Sequence, residues 1–232
     1  MYKIRREVRP RTCLESLDAL IEQHHLLKHP FYQAWIEGTL SRESLQLYAE
    51  QYYQIVRSFP ENLNRLALRA SMPLAAMVRE NLAEETNPLA PHPMLWRQFA
   101  QSLGVSENAM EAARPLPGMA AMLDSFDEIS TQGSMCEAVA AFYAYEAQVP
   151  EIAERKIASL RRFYDVCESR ALAYFTAQRE ADSRRRSVWR SWLVTQPQID
   201  EFGAICSAER TLKAIWGALD AVYPQACAAA AS

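Results

Sequence analysis

Glu146 carries the strongest chemical signal in this 232-residue chain. It ends the apolar run at residues 136–146, and the Gln148-Val149-Pro150 step behind it makes the next helix turn back over it. A carboxylate so placed is expected to be buried, which is costly unless a cation, a metal or hydrogen-bond donors meet it. Glu85 is a second acid at a helix end, where the helix dipole is unfavourable and calls for compensation. His92 follows seven residues later, across the rigid Asn87-Pro88-Leu89-Ala90-Pro91 segment, so the carboxylate and the imidazole can converge on one ion. Lys156 could neutralise a buried acid, and Gln178, Asp182 and Arg185, spaced four and three apart, share one helix face. Each also has an ordinary reading: acids at helix ends and histidines in loops are common, Lys156 could pair on the surface with Glu151 or Glu154, and Asp182 with Arg185 is an unremarkable helical pair.

The elements that would position these groups are all helical. Apolar residues repeat at helical spacing nearly throughout, only 6 residues are glycine, and the pattern predicts roughly ten helices with no strand, an all-α bundle in one domain. Thr12 with Glu15 forms a capping box for the first helix, and Pro30 opens a short second one. Ser41 starts a helix carrying Tyr48, Tyr52 and Tyr53, which are either core aromatics or the wall of a polar-aromatic substrate cavity. Pro60 is expected to open a separate helix through Arg69, and Pro73 another that runs to Glu85. Asp165 and Glu168 suggest a capping box for one long helix from Cys167 to Val194. The last helix is predicted over 199–223, with Phe202, Ile205, Leu212, Ile215, Trp216 and Leu219 on its apolar stripe, and residues 1–12 and 224–232 read as flexible ends. His24, His25 and His29 could form a metal pair, but without an acidic or cysteine partner at matching spacing a capping or surface role is preferred.

Composition excludes several classes. A formal charge of −3 argues against a general nucleic-acid binder, despite the basic Arg184-Arg185-Arg186. The 5 cysteines are scattered without a CxxC, which suggests neither a disulfide framework nor a zinc ribbon and fits a reducing, cytoplasmic setting. No apolar run has the length of a signal peptide or a membrane span, so a soluble protein without membrane partners is expected.

The segments HPFYQAWIEG (residues 29–38), YAEQYYQIVRSFP (48–60), YAYEAQVPEIAERKI (143–157) and YFTAQREAD (174–182) resemble the TenA/PqqC superfamily, which has the haem-oxygenase-like helical fold. Within it they look most like the branch that contains the chlamydial protein associating with death domains, a p-aminobenzoate synthase among the haem-oxygenase-like diiron oxidases. The resemblance implies metal ligands at Glu85, His92, Glu146 and Asp182, a reactive lysine at Lys156 and a reactive tyrosine at Tyr32. It also implies iron as the cofactor, O2 and a small molecule as reactants, and a homodimer. Two ligand positions depart from the pattern, because the family's remaining histidines fall on Gln178 and Arg185. Glutamine is a poor iron ligand and a guanidinium does not ligate at all. Arg185 could instead supply a fixed positive charge among Glu85, Glu146 and Asp182, with Lys156 as a second.

Three functions follow. The first is an O2-using oxidoreductase with a degenerate diiron site, acting on a small aromatic or amino-acid-like substrate as in p-aminobenzoate formation; Tyr48, Tyr52, Tyr53 and Gln178 would bind the substrate, and Lys156, Tyr32 and Arg185 would act on it. A metal-free variant resembles the PqqC branch, with Arg185 and Lys156 stabilising an anionic intermediate. The second is a non-catalytic ligand- or partner-binding protein. The third, a TenA-type thiaminase, needs a cysteine where this chain has Ala140, and Cys136 lies one helical turn too early.

Overall fold

The computed structural model describes the backbone of residues 12–180, 182–196 and 200–229, and their side chains apart from 182–186 and 224–229. The described residues form twelve α-helices and a 3-10 turn, Leu26–Lys28, with no strand, so the all-α expectation holds. In chain order the helices are α1 Cys13–Gln23, α2 Pro30–Glu37, α3 Arg42–Arg69, α4 Leu74–Glu85, α5 His92–Ser102, α6 Glu107–Ala112, α7 Pro117–Thr131, α8 Met135–Glu146, α9 Val149–Phe163, α10 Ser169–Glu180, α11 Asp182–Thr195 and α12 Glu201–Ala229.

At the centre lies α8, whose residues Ala138 through Glu146 are all buried, as expected of a helix that is apolar on every side. It starts at a Ser134/Glu137 capping box, and α12 and α11 pack along it. The other long wall is α3, against which α4, α5, α7 and α12 pack. Helices α7 and α12 approach so closely that a Cβ on Gly118 would strike the Gly217 carbonyl, which glycine avoids. Helix α9 returns over the end of α8, with Ile152, Ala153, Lys156, Ile157 and Leu160 on its buried face.

Several sequence expectations are corrected. Pro60 lies inside α3 and does not open a new helix. Buried Tyr52, Val56, Phe59, Leu63 and Leu66 continue one apolar stripe across it, so packing on both sides outweighs the one lost backbone hydrogen bond. The long helix expected from Cys167 is two helices, α10 and α11. Asp165 does not cap it, since it adopts a left-handed conformation, φ 56°, in the turn after α9. Phe202 is 80% exposed and off the apolar stripe of α12, which is carried by Ala204, Ala208, Leu212, Ile215 and Leu219. Of the ends read as flexible, residues 1–11 and 230–232 lie outside the description, and α12 runs past Tyr223 to Ala229. The histidines near the N-terminus are caps: His25 accepts from the Leu27 N–H, and His29 Nδ1 accepts from the Phe31 N–H to start α2.

Candidate active site

Lys156 is the first group the fold brings into the bundle. It is 6% exposed, and its Nζ lies 4.8–5.6 Å from the ring centres of Tyr32, Trp35, Tyr48, Tyr52 and Phe175. The amine donates to the Tyr48 hydroxyl at 2.8 Å, and that hydroxyl lies 3.2 Å from the Tyr32 hydroxyl. Among the described residues no carboxylate forms an ion pair with Lys156, and burial pushes its ammonium well below the ordinary lysine range. Burial also raises the tyrosines: Tyr32 and Tyr48 lie well above their usual value, and Tyr52 is pushed up to about 12, against the hydrogen bond from Tyr145. Tyr52 and Tyr145 share a 2.5 Å hydrogen bond across the α3–α8 contact. The surface reading of Lys156 is therefore corrected. It faces a tyrosine-lined cavity, where burial disfavours its ammonium form.

The cavity beside it is small, about 30 Å³, and Tyr32, Tyr52, Tyr145, Lys156, Tyr174 and Gln178 line it. That is room for two or three water-sized molecules, since one water needs roughly 10–15 Å³. Tyr53 does not line it; its hydroxyl donates to Glu111 Oε1 and accepts from Arg97 Nε, each at 2.8 Å.

A second cluster adjoins the first through Tyr145, Tyr174 and Gln178. Glu146, 4% exposed, accepts from Asn81 Nδ2 at 3.0 and 3.2 Å on its two oxygens and from Trp189 Nε1 at 2.9 Å on Oε2. Asn81 is one turn before Glu85 on α4, so the helix end with two acids also supplies a donor. Glu85 Oε2 is 2.5 Å from His92 Nδ1, so the carboxylate and the imidazole are paired directly. Gln178 Nε2 donates to the Tyr174 hydroxyl at 3.2 Å and lies 3.4 Å from His92 Nδ1. The structure thus brings together Glu85, His92, Glu146 and Gln178, and beside them Tyr32, Tyr48, Tyr52 and Lys156. Asp182 and Arg185 belong to the same helix as Trp189, but their side chains lie outside the described residues.

Asn81, Tyr145, Tyr174 and Trp189 were not among the expected site residues. Asn81 could have been found from its four-residue spacing to Glu85, and Tyr174 from the same spacing to Gln178. Trp189 has no such signal, because its contact with Glu146 is made only when α11 docks on α8.

The two-metal centre that the resemblance implies does not fit this donor set. Arg185 and Gln178 stand at two ligand positions, and Oε2 of Glu146 already accepts two N–H groups. Among the described residues no group of three or more His, Cys, Asp or Glu is arranged to hold a metal ion.

Residues 15–195 match the family described as TENA/THI-4/PQQC. The chain belongs to that family. It is 33% identical to a 4-aminobenzoate synthase of Chlamydia muridarum, over 92% of this chain and 92% of that protein. A 4-aminobenzoate synthase of Nitrosomonas europaea is 30% identical over 94% of this chain and 93% of its own length. A solved domain of unknown function with a haem-oxygenase-like fold, from Shewanella denitrificans, superposes with a TM-score of 0.76 at 14% identity, covering 91% of this chain and 90% of its own. The fold is thus haem-oxygenase-like. No described helix is long and apolar enough to cross a membrane.

Proposed function

We propose that this family member is an O2-consuming oxidoreductase that forms 4-aminobenzoate, with Tyr32 as the source of the aromatic ring and Lys156 as the amine beside it. The observation that carries this reading is the Lys156 Nζ at 4.8 Å from the centre of the Tyr32 ring, desolvated and hydrogen-bonded to Tyr48. Burial disfavours the ammonium of Lys156, and a deprotonated amine has the lone pair that an ammonium lacks. The cavity size supports an internal ring: about 30 Å³ admits O2 or water but not a benzoate-sized molecule. The names of the relatives at 33% and 30% identity support the product. Tyr52 and Tyr145 wall the cavity, Gln178 separates it from the Glu85–His92 pair, and a second copy of the chain is the proposed partner in a homodimer.

The test is aerobic incubation of the purified full chain with a chemical reductant, followed by mass spectrometry for 4-aminobenzoate. Protein grown with ring-labelled tyrosine should release labelled product in less than one turnover per chain, and Tyr32→Phe and Lys156→Met should release none. Unlabelled, multiple-turnover product would show that the ring comes from outside. The loss of two ligand positions to Gln178 and Arg185 favours a second reading, a non-catalytic ligand-binding protein. Absence of both O2 uptake and product would select it.

A further inference from the structure

Three neutral N–H···O contacts are among those that meet the Glu146 carboxylate: both of its oxygens accept from Asn81 Nδ2, and Oε2 also accepts from Trp189 Nε1. A carboxylate oxygen ligates a cation through a lone pair that no hydrogen-bond donor already occupies. Here Oε2 already accepts from an amide and an indole. The indole cannot reorient to release it, because Trp189 is 1% exposed and its ring is packed on Phe142, centroids 5.8 Å apart. Helix α11 is held in turn by Arg190, which donates to Asp18 at 2.6 Å and to the Tyr143 hydroxyl at 2.9 Å, tying α11 to α1 and α8. Asn81 can only be oriented with its amide nitrogen toward Glu146, since the reverse would set its carbonyl against the carboxylate. That orientation leaves Asn81 Oδ1 buried without a hydrogen-bond partner among the described residues.

We infer that Asn81 and Trp189 are positioning residues that hold Glu146 as a hydrogen-bonded carboxylate, so that this site does not take a pair of divalent cations. The inference deepens the proposed function and rests on it only for placing the site. Asn81 and Trp189 take over part of the neutralising role that a second metal has where two are bound, because N–H donors lower the cost of a buried carboxylate without adding a like-charged neighbour that must also be ligated.

The experiment is anaerobic titration of the full chain with Mn2+ alone, reading stoichiometry and affinity by electron paramagnetic resonance and calorimetry, with no turnover involved. The unmodified chain should bind no more than one Mn2+, without the exchange-coupled signal of a metal pair. Trp189→Phe keeps the ring packing and frees one lone pair of Glu146, and should tighten Mn2+ binding about tenfold. Asn81→Leu serves as the second variant if Trp189→Phe does not fold, with the same expected direction. Two coupled Mn2+ ions per unmodified chain would overturn the inference, as would unchanged or weaker binding in the variants. Product assays are read separately: a chain that binds one cation but makes no 4-aminobenzoate refutes the proposed function alone, and one that makes product with a coupled metal pair refutes the inference alone.

Discussion

Replacing Lys156 with methionine tests the central electrostatic claim about this site. Two effects compete at the amine. Five aromatic rings within 5.6 Å of Nζ attract an ammonium, each by about 0.5–2 kcal/mol. Removing that ammonium from water costs several kcal/mol, and among the described residues no carboxylate repays it through an ion pair. Burial lowers the folded-state value, while the unfolded chain binds a proton up to the ordinary lysine value of about 10.4. Because the unfolded state then carries the extra proton, stability rises with pH between the depressed folded value and about 10.4, and is lost as pH falls through that window. The slope is at most about 1.4 kcal/mol per pH unit. With a urea m-value of roughly 1.5–3 kcal/mol/M, the midpoint of the unmodified chain should rise by about 0.5–1 M per pH unit relative to Lys156→Met. The variant also loses the hydrogen bond to Tyr48, a pH-independent cost of about 1 kcal/mol that shifts its curve without tilting it. Urea melts of both proteins at half-unit steps from pH 7 to 10 decide the matter. Parallel profiles would refute the reasoning and show that the aromatic cage holds an ammonium.

The remaining predictions use other contacts. Tyr52→Phe should destabilise by about 1–3 kcal/mol by leaving the Tyr145 hydroxyl buried without its partner, and the Tyr52→Phe/Tyr145→Phe double variant should recover much of that loss in a denaturation cycle. Burial holds His29 below its usual value, against the opposing pull of Asp220, so its contribution to stability should decline as pH falls below about 6.5. His29→Ala, which removes the cap on α2, should cost about 1–2 kcal/mol at pH 7.5 in chemical denaturation and flatten that decline. Phe202→Ser should change the thermal midpoint by less than about 2 °C, because the ring is 80% exposed in the monomer; a larger drop would place it in a subunit contact.

Much of the architecture was legible in the residues themselves. Apolar spacing at 3.6 residues, the Thr12/Glu15 capping box and the proline punctuation determined an all-α chain, and the ends of α4 and α8 at Glu85 and Glu146 followed from the same local signals. Local chemistry also marked Glu85, His92 and Glu146, since acids at helix ends demand partners. Pro60 and Asp165 were misread for a shared reason: propensity describes an isolated segment, whereas packing along α3 and the turn after α9 decided those backbones. Lys156 lay between the two cases. Its spacing from Ile152, Ala153, Ile157 and Leu160 already put it on the apolar stripe of α9, but a lone lysine on such a stripe can snorkel to solvent, and only the closure of Tyr32, Tyr48 and Phe175 over it showed that it does not. The partners of Glu146 required the tertiary structure entirely. Asn81 and Trp189 are 65 and 43 residues away in the chain, and no periodicity relates groups whose hydrogen bonds form only when α4, α8 and α11 pack together. The sequence by itself determined which helices form and where their acids lie; the packing decided which groups meet those acids, because burial, and with it the need for a partner, belongs to the assembled core and not to any one helix.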